Sequence, residues 1–230
     1  MYDGHERPEG PINPVPWIVW VLFAGIAGVE IVLGLADAGM IGGPGGIGWR
    51  VAAMQDWAFS PAVWDYVWER GRTDPGLLRR FIGYAFVHGS FTQALFGGAL
   101  LLALGKFVGD VFAWWAVLAV FVVSAVVGAV AFGILAEGTV PLIGVYPAVY
   151  GLIGAFSYLM WLQLGVSGQN RAAAFRLIGF LLGIQLVFGL IFGGPPTWIA
   201  DVSGFAAGFA ISSLLAPGGW AAFVRRMRAR

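Results

Sequence analysis

The feature that most constrains this chain is a series of long apolar runs. A run of about 20 mainly apolar residues can cross the roughly 30 Å hydrocarbon core of a bilayer as a helix. A helix also satisfies its backbone hydrogen bonds internally, as lipid requires. Six runs reach or approach this length, and they cover residues 17–36, 81–104, 111–135, 143–164, 175–192 and 198–215. The sequence therefore predicts an all-α, polytopic membrane protein with six spans.

Composition supports the same class and excludes several others. Hydrophobic residues make up 59% of the chain and charged residues 11%, and the mean hydropathy is +0.83, whereas a soluble domain carries about 25% charged residues. The 36 glycines suit closely packed membrane helices. A net charge of +1 argues against nucleic-acid binding. The chain has no cysteine and no second histidine near His88, so we expect no metal site, and we expect no cofactor.

One membrane domain with two polar tails is the predicted organisation. Within this domain, residues 37–80 form the only long connection, which holds a glycine-rich turn at 42–46 and then a tryptophan-rich, amphipathic stretch. Tryptophans among charged residues suit a helix that lies in the membrane interface. The predicted segments are an N-terminal tail at 1–16, the membrane domain at 17–217 and a basic C-terminal tail at 218–230.

Basic residues give the expected orientation. Six spans place Lys106, Arg171, Arg176 and the arginines of the C-terminal tail on one side, which should be cytoplasmic. The loop at 37–80 also carries arginines, but long loops are translocated largely regardless of charge. We expect both termini in the cytoplasm, and the bacterial inner membrane as the location.

The start of the fourth span is unusual for a membrane segment. Gly144 and Pro147 flank Tyr146 within an otherwise apolar run. Proline is tolerated in the first turn of a helix, so we predict a helix that begins near Pro147 with Tyr146 just before it. Such a helix start presents free N–H groups and the positive end of the helix dipole. This is where an anion, an oxyanion or a nucleophile would be placed.

Three motifs on the second, fourth and sixth spans give the chain a family resemblance. They read His88-Gly-Ser-Phe-Thr-Gln93-Ala-Leu-Phe-Gly97, Gly144-Val-Tyr146-Pro147-Ala-Val-Tyr150-Gly and Ala200-Asp201-Val-Ser-Gly204-Phe-Ala-Ala-Gly208. With the six spans and the long first loop, these motifs resemble those of the rhomboid family of intramembrane serine proteases. Residues that match the family's frame are His88, Gly144, Tyr150, Ala200, Gly204 and Gly208.

The departures from the family pattern fall on the chemistry. The resemblance puts Tyr146 where the family has its nucleophilic serine and Asp201 where it has its base histidine. Gln93 and Gly97 stand where the family has the histidine and asparagine that help to hold the oxyanion. We therefore expect no catalytic residue at these four positions.

Two functions follow from the resemblance. The first is a non-catalytic pseudoprotease, like iRhoms and derlins, that binds transmembrane segments of other proteins within the bilayer or serves as a subunit of a membrane complex. The second is an intramembrane serine endopeptidase that uses another nucleophile. Small hydroxyl residues also pack between membrane helices, and this is the expected role of the serines in or near the spans, Ser90, Ser124, Ser157 and Ser203.

Acidic residues inside a membrane suggest a function by default. A two-aspartate protease would need a partner for Asp201 at depth, but Asp110 lies at the end of its span, and Glu30 can simply bond to a neighbouring helix. A transporter would more often show internal repeats. We predict instead that the Tyr146 hydroxyl donates a hydrogen bond to the Asp201 carboxylate. That bond would fasten the fourth span to the sixth.

Overall fold

The computed structural model describes residues 14–216, except for the side chains of Leu186, Leu190 and Phe192. The predicted tail at 218–230 and nearly all of the tail at 1–16 lie outside the described residues. In the described part, ten α-helices follow one another: α1 Trp17–Asp37, α2 Trp49–Trp57, α3 Pro61–Trp68, α4 Pro75–Leu78, α5 Arg80–Gly83, α6 Phe91–Gly109, α7 Trp114–Leu135, α8 Tyr146–Val166, α9 Arg176–Phe192 and α10 Trp198–Leu215.

The prediction of six membrane-spanning helices in an all-α fold is confirmed. Helices α1, α6, α7, α8 and α10 are each long and apolar enough to cross a bilayer, and so is the helical stretch Arg171–Gly189, which includes most of α9. The second span begins ten residues later than predicted, at Phe91 instead of Phe81. Residues 80–86 form only short helical turns and Val87 is extended. The Ser90 side chain then accepts a hydrogen bond from the Gln93 amide and so caps the start of α6.

Helix α8 is the centre of the bundle, and α10 packs closely along it. A Cβ atom built on Gly208 would collide with the carbonyl oxygen of Gly151, and one on Gly204 would collide with that of Pro147. The two backbones can approach this closely because both contact positions on α10 are glycine. This packing brings the first turn of α10 beside the first turn of α8.

Helix α9 is the least packed of the six spans. Only 12% of the apolar window in Arg171–Gly189, the span that contains most of α9, is buried, against 33–50% for the windows of the other five. Its closest packing is with the turn at Arg171–Phe175 and with α8, and it stands apart from α10 over most of its length. An open cleft therefore separates α9 from α10.

The long first loop folds against one end of the bundle. Its tryptophan-rich stretch forms two helices, α2 and α3, rather than one. A pair of backbone hydrogen bonds joins Phe59, just after α2, to Leu142 ahead of α8, with N–O distances of 3.1 and 2.7 Å. Gly133 on α7 also leaves room for the side chain of Trp64. These contacts hold the segment before α8 in place.

Candidate functional site

The start of α8 is held by the backbone that precedes it. Gly144 has a φ of +95°, a conformation that glycine adopts without strain, and its amide donates to the carbonyl oxygen of Tyr84 at 2.9 Å. A Cβ atom here would lie 2.9 Å from Nε2 of Gln93. Glycine is therefore required both for the turn and for the space beside it.

His88 joins the first loop to the start of α8. Its side chain is 1% exposed, and its Nε2 accepts a hydrogen bond from the Val145 amide at 3.3 Å. Burial lowers the pKa of the His88 imidazole, and the nearby carboxylate of Glu30 opposes that shift. The imidazole is therefore neutral near pH 7 with its proton on Nδ1, because Nε2 acts as the acceptor. This nitrogen is occupied by the backbone and is not available as a general base.

The predicted hydrogen bond between Tyr146 and Asp201 is wrong. The Tyr146 hydroxyl donates instead to the backbone carbonyl of Gln93 at 3.3 Å. The Asp201 carboxylate accepts from Nε2 of Gln185 at 2.8 Å. The Tyr146 bond thus runs from α8 to α6, whereas the Asp201 bond runs from α10 to α9.

Asp201 lies in the first turn of α10 and is only 4% exposed. The positive end of the α10 dipole favours a carboxylate at this place. Among the described residues, no arginine or lysine forms a salt bridge with Asp201, and the Gln185 amide is its hydrogen-bond donor. Asp201 therefore lacks a cationic partner within the described part of the chain.

Local contacts engage both positions that the resemblance matches to the family's oxyanion residues. The Gln93 side chain accepts from the Gly89 amide at 2.8 Å and donates to the Ile143 carbonyl at 3.4 Å. At Gly97 the space of a side chain is filled, because a Cβ atom would lie 2.6 Å from Cγ1 of Val145. The site is therefore closed by local contacts on the side of α6.

The residues that match the family's frame serve packing in this structure. Tyr150 is buried in α8, and the Ala200 carbonyl lies against Gly128 of α7, where a Cβ atom would come within 2.9 Å of its oxygen. Gly204 and Gly208 provide the close contact of α10 with α8. Gly204 and Gly208 thus leave no room for a side chain, and all four residues lie in the packed contacts of α8, α10 and α7.

The serines offer no nucleophile with a basic partner in the described residues. Ser90 caps α6, and the hydroxyls of Ser124 and Ser157 are buried without a hydrogen-bond partner. Ser124 packs against Gly151. Ser203 is half-buried in α10. Because His88 is bound to Val145, no described histidine pairs with any of these hydroxyls.

Two residues at this end of the bundle were missed by the sequence analysis. Arg50 of α2 forms a double hydrogen bond with Glu30 of α1 at 2.8 and 2.9 Å, and it also contacts Asp37 at 2.7 Å and the His88 carbonyl at 2.9 Å. Gln185 is the partner of Asp201. The buried acids Glu30 and Asp201 were the available signal, because an intramembrane carboxylate needs a partner.

Comparison with known protein families identifies the fold. The family model for the rhomboid domain matches residues 75–218, which is well over half of the 230-residue chain. The chain belongs to the rhomboid family. The matched segment of this rhomboid protein includes α6 to α10 and thus Gln93, Gly97, Tyr146 and Asp201. No curated protein matches the chain closely enough to be named as a relative.

Proposed function

We propose that this rhomboid protein binds transmembrane segments of other membrane proteins without cleaving them, on its own or as a subunit of a membrane complex. The observation that carries the proposal is the state of the four replaced positions. Tyr146 and Asp201 are bonded to different helices, while Gln93 and Gly97 are taken up by local contacts. Tyr146 and Asp201 are therefore not paired as a nucleophile and its base, and Gly97 has no side-chain donor.

Hydrolysis by a serine-type route needs a hydroxyl within reach of a base. The Tyr146 oxygen is a hydrogen-bond donor to a backbone carbonyl, and Asp201 is bonded to an amide. The reaction also needs donors aimed at the developing oxyanion, and loss of one such donor costs about 10²–10³ in rate. The start of α8 offers neither a hydroxyl paired with a base nor the full set of oxyanion donors, so its geometry favours binding over cleavage.

Client binding is supported by the looseness of α9. A membrane helix with few buried residues leaves apolar surface that another helix can cover, and helices in lipid associate through such packing. The rhomboid protein is an integral membrane protein, and we propose the bacterial inner membrane as its location. The cleft beside α9 then opens within the bilayer, where transmembrane segments are found.

A cleavage assay tests the proposal against the alternative, an intramembrane serine endopeptidase. We expect the purified, reconstituted protein to leave a model transmembrane substrate intact and to show only background labelling by a serine-reactive fluorophosphonate. Tyr146→Ser should behave in the same way, since the base and the oxyanion donor are still missing. Cleavage by the unmodified protein, or labelling that heat denaturation abolishes, would overturn the non-catalytic function.

A further inference from the structure

His88 is bonded in two directions at the start of α8. Its imidazole Nε2 accepts a hydrogen bond from the Val145 amide at 3.3 Å, and its backbone carbonyl accepts one from Nη1 of Arg50 at 2.9 Å. The same guanidinium also binds the Glu30 carboxylate. His88 therefore joins the start of α8 to α2 directly and, through the Arg50 side chain, to α1.

A proton on Nε2 of His88 would remove the first of these bonds. An imidazolium has an N–H at both nitrogens and no acceptor, so the N–H of His88 would face the N–H of Val145 at a residue that is 1% exposed. Val145 is also the N-cap of α8, where the positive end of the helix dipole opposes a cation. A protonated His88 and Val145 therefore have to move apart.

The charged and titratable groups around His88 come from α1, α2 and α8. Glu30 of α1 and Arg50 of α2 act on the imidazole with opposite charges, but both Glu30 oxygens already accept hydrogen bonds from Arg50. The titratable group in the first turn of α8 is the Tyr146 phenol, which is neutral below about pH 10. No residue in the first three turns of α6 is charged. The acid that acts on His88 is therefore already paired with another base.

We propose that His88 is an acid-sensitive catch, which fastens the first loop to the start of α8 at neutral pH and releases Val145 when the imidazole is protonated. Release would free the first turn of α8, where Tyr146 lies. This inference goes beyond the proposed function and does not depend on it. Cleavage of a substrate would overturn the proposed function and leave the catch standing.

The fastened and released states differ in their affinity for a proton. Burial lowers the pKa of the fastened His88 imidazole. Glu30 and the Phe86 carbonyl oppose this shift, while Arg50 adds to it. A released imidazole has its ordinary pKa of about 6.5 and so binds the proton more tightly. The released population should therefore rise about tenfold for each pH unit below about 6.5, until the fastened state is protonated as well.

Hydrogen exchange of the full-length protein in phosphatidylcholine vesicles tests the catch. His88→Gln offers Val145 a carbonyl oxygen in place of Nε2 and does not titrate, and His5→Gln is the matched control at the other of the two histidines. Exchange of the Val145 amide is compared between proteins at the same pH, so that its intrinsic pH dependence cancels. We expect equal rates at about pH 8 and, at about pH 5.5, about tenfold faster exchange in the unmodified protein and His5→Gln than in His88→Gln.

Nitrogen NMR of the unmodified protein, labelled at histidine, follows the proton itself. His5→Gln assigns the two imidazoles, since it removes the signals of one of them. We expect the His88 imidazole to be neutral at about pH 7, with its proton on Nδ1, and to titrate below the ordinary value of about 6.5. Its titration should coincide with the rise in Val145 exchange.

Either measurement can overturn the inference. The same pH dependence of Val145 exchange in the unmodified protein and His88→Gln would reject the catch, and so would a His88 imidazole that carries its neutral proton on Nε2. Should glutamine fail to hold Val145 at about pH 8, the unmodified protein still decides. In that case, a rise in Val145 exchange without protonation of His88 would refute the catch.

Discussion

At Gly97 the lack of a side chain decides what the site can contain. The sequence resemblance predicts the family's amide donor at this position, but here the space is filled by Val145, which is fully buried. A Cβ atom on residue 97 would lie 2.6 Å from Cγ1 of Val145, which is far closer than carbon atoms normally approach. Restoring the family's asparagine therefore requires a smaller residue at position 145 as well.

We predict that Gly97→Ala lowers the melting temperature of the detergent-solubilised protein, because overpacking a tight contact costs about 1–3 kcal/mol. Gly28→Ala is the matched control on α1, where nothing lies within 4 Å of the added carbon, and it should be neutral or slightly stabilising. Val145→Ala in the Gly97→Ala background should recover part of the loss. Equal melting temperatures for the two alanine variants would show that Val145 can move aside.

The sequence predicted roughly where the candidate residues stand along their helices but not the partners of their side chains. Tyr146 is the first residue of α8, one position inside the helix rather than just before it as predicted, and Asp201 lies in the first turn of α10. Their hydrogen bonds depend on where a third helix lies, and Gln185 reaches Asp201 from 16 positions earlier in the chain. A sequence motif gives positions along one helix and no information on where α9 lies. The spacing of the motifs could therefore not show whether Tyr146 or Gln185 is the partner of Asp201.

Between elements, the Gln185–Asp201 bond is the polar connection of α9 to α10. We predict that Gln185→Leu and Asp201→Leu show coupled effects on thermal stability in a double-mutant cycle, because each single change leaves the other group without its partner. Intramembrane polar contacts average about 0.6 kcal/mol and reach roughly 1.7 kcal/mol, so the coupling should lie in this range. Thermal unfolding of the four proteins in detergent measures it.

The control for this cycle is the pair Tyr146→Phe and Asp201→Leu. The structure gives these two residues separate partners, so their effects should add within about 0.5 kcal/mol. Additivity at Gln185 together with coupling at Tyr146 would restore the bond that we first predicted and reject the arrangement described here.

The position of the first loop depends on the ion pair that Arg50 forms with Glu30 of α1. The side chain of Arg50 is 13% exposed, and that of Glu30 is 7% exposed. Removing one member of a fully buried ion pair typically costs about 3–5 kcal/mol, since the other charge remains without compensation, and this partly buried pair should cost somewhat less. We predict that Arg50→Gln strongly lowers the melting temperature and increases proteolysis between α1 and α6.

Arg72→Gln is the control for that prediction. Arg72 lies in the same loop and forms a longer contact with Asp74, at 3.6 Å, between two largely exposed side chains. Exposed pairs contribute little to stability, so this variant should melt like the unmodified protein. A similar loss in both variants would mean that Arg50 has no special role in holding the loop.

At the scale of elements, the length of the apolar runs was enough to predict the six spans. It gave the wrong start for the second span, because the apolar residues before Phe91 do not continue that helix. Residues 81–90 are largely apolar, yet they form turns and an extended segment that carry Tyr84 and His88 to the start of α8. The signal against a longer helix was the pair Gly89 and Ser90, since serine favours the position before a helix. The two loop helices and their Arg50 anchor could not be predicted, because that contact spans 20 positions in the sequence.

For the whole molecule, orientation sets which side of the membrane the cleft faces. Basic residues near the ends of spans concentrate on the cytoplasmic side. The first loop contains Arg50, Arg70, Arg72, Arg79 and Arg80. The predicted cytoplasmic segments contain the other eight of the 13 basic residues, namely Arg7, Lys106, Arg171, Arg176, Arg225, Arg226, Arg228 and Arg230. This difference favours a first loop on the outside, which places the turn between α9 and α10 on the outside as well.

Labelling of single introduced cysteines tests this orientation, because the chain has no cysteine of its own. Met40 follows α1 and is 72% exposed, and Gln169 lies exposed in the connection between α8 and α9. In spheroplasts, a membrane-impermeant maleimide should label Met40→Cys directly and Gln169→Cys only after permeabilisation. The reverse pattern would show the opposite orientation, with the first loop and the turn between α9 and α10 in the cytoplasm. Direct labelling of both would contradict the six-span arrangement, since three crossings separate the two positions.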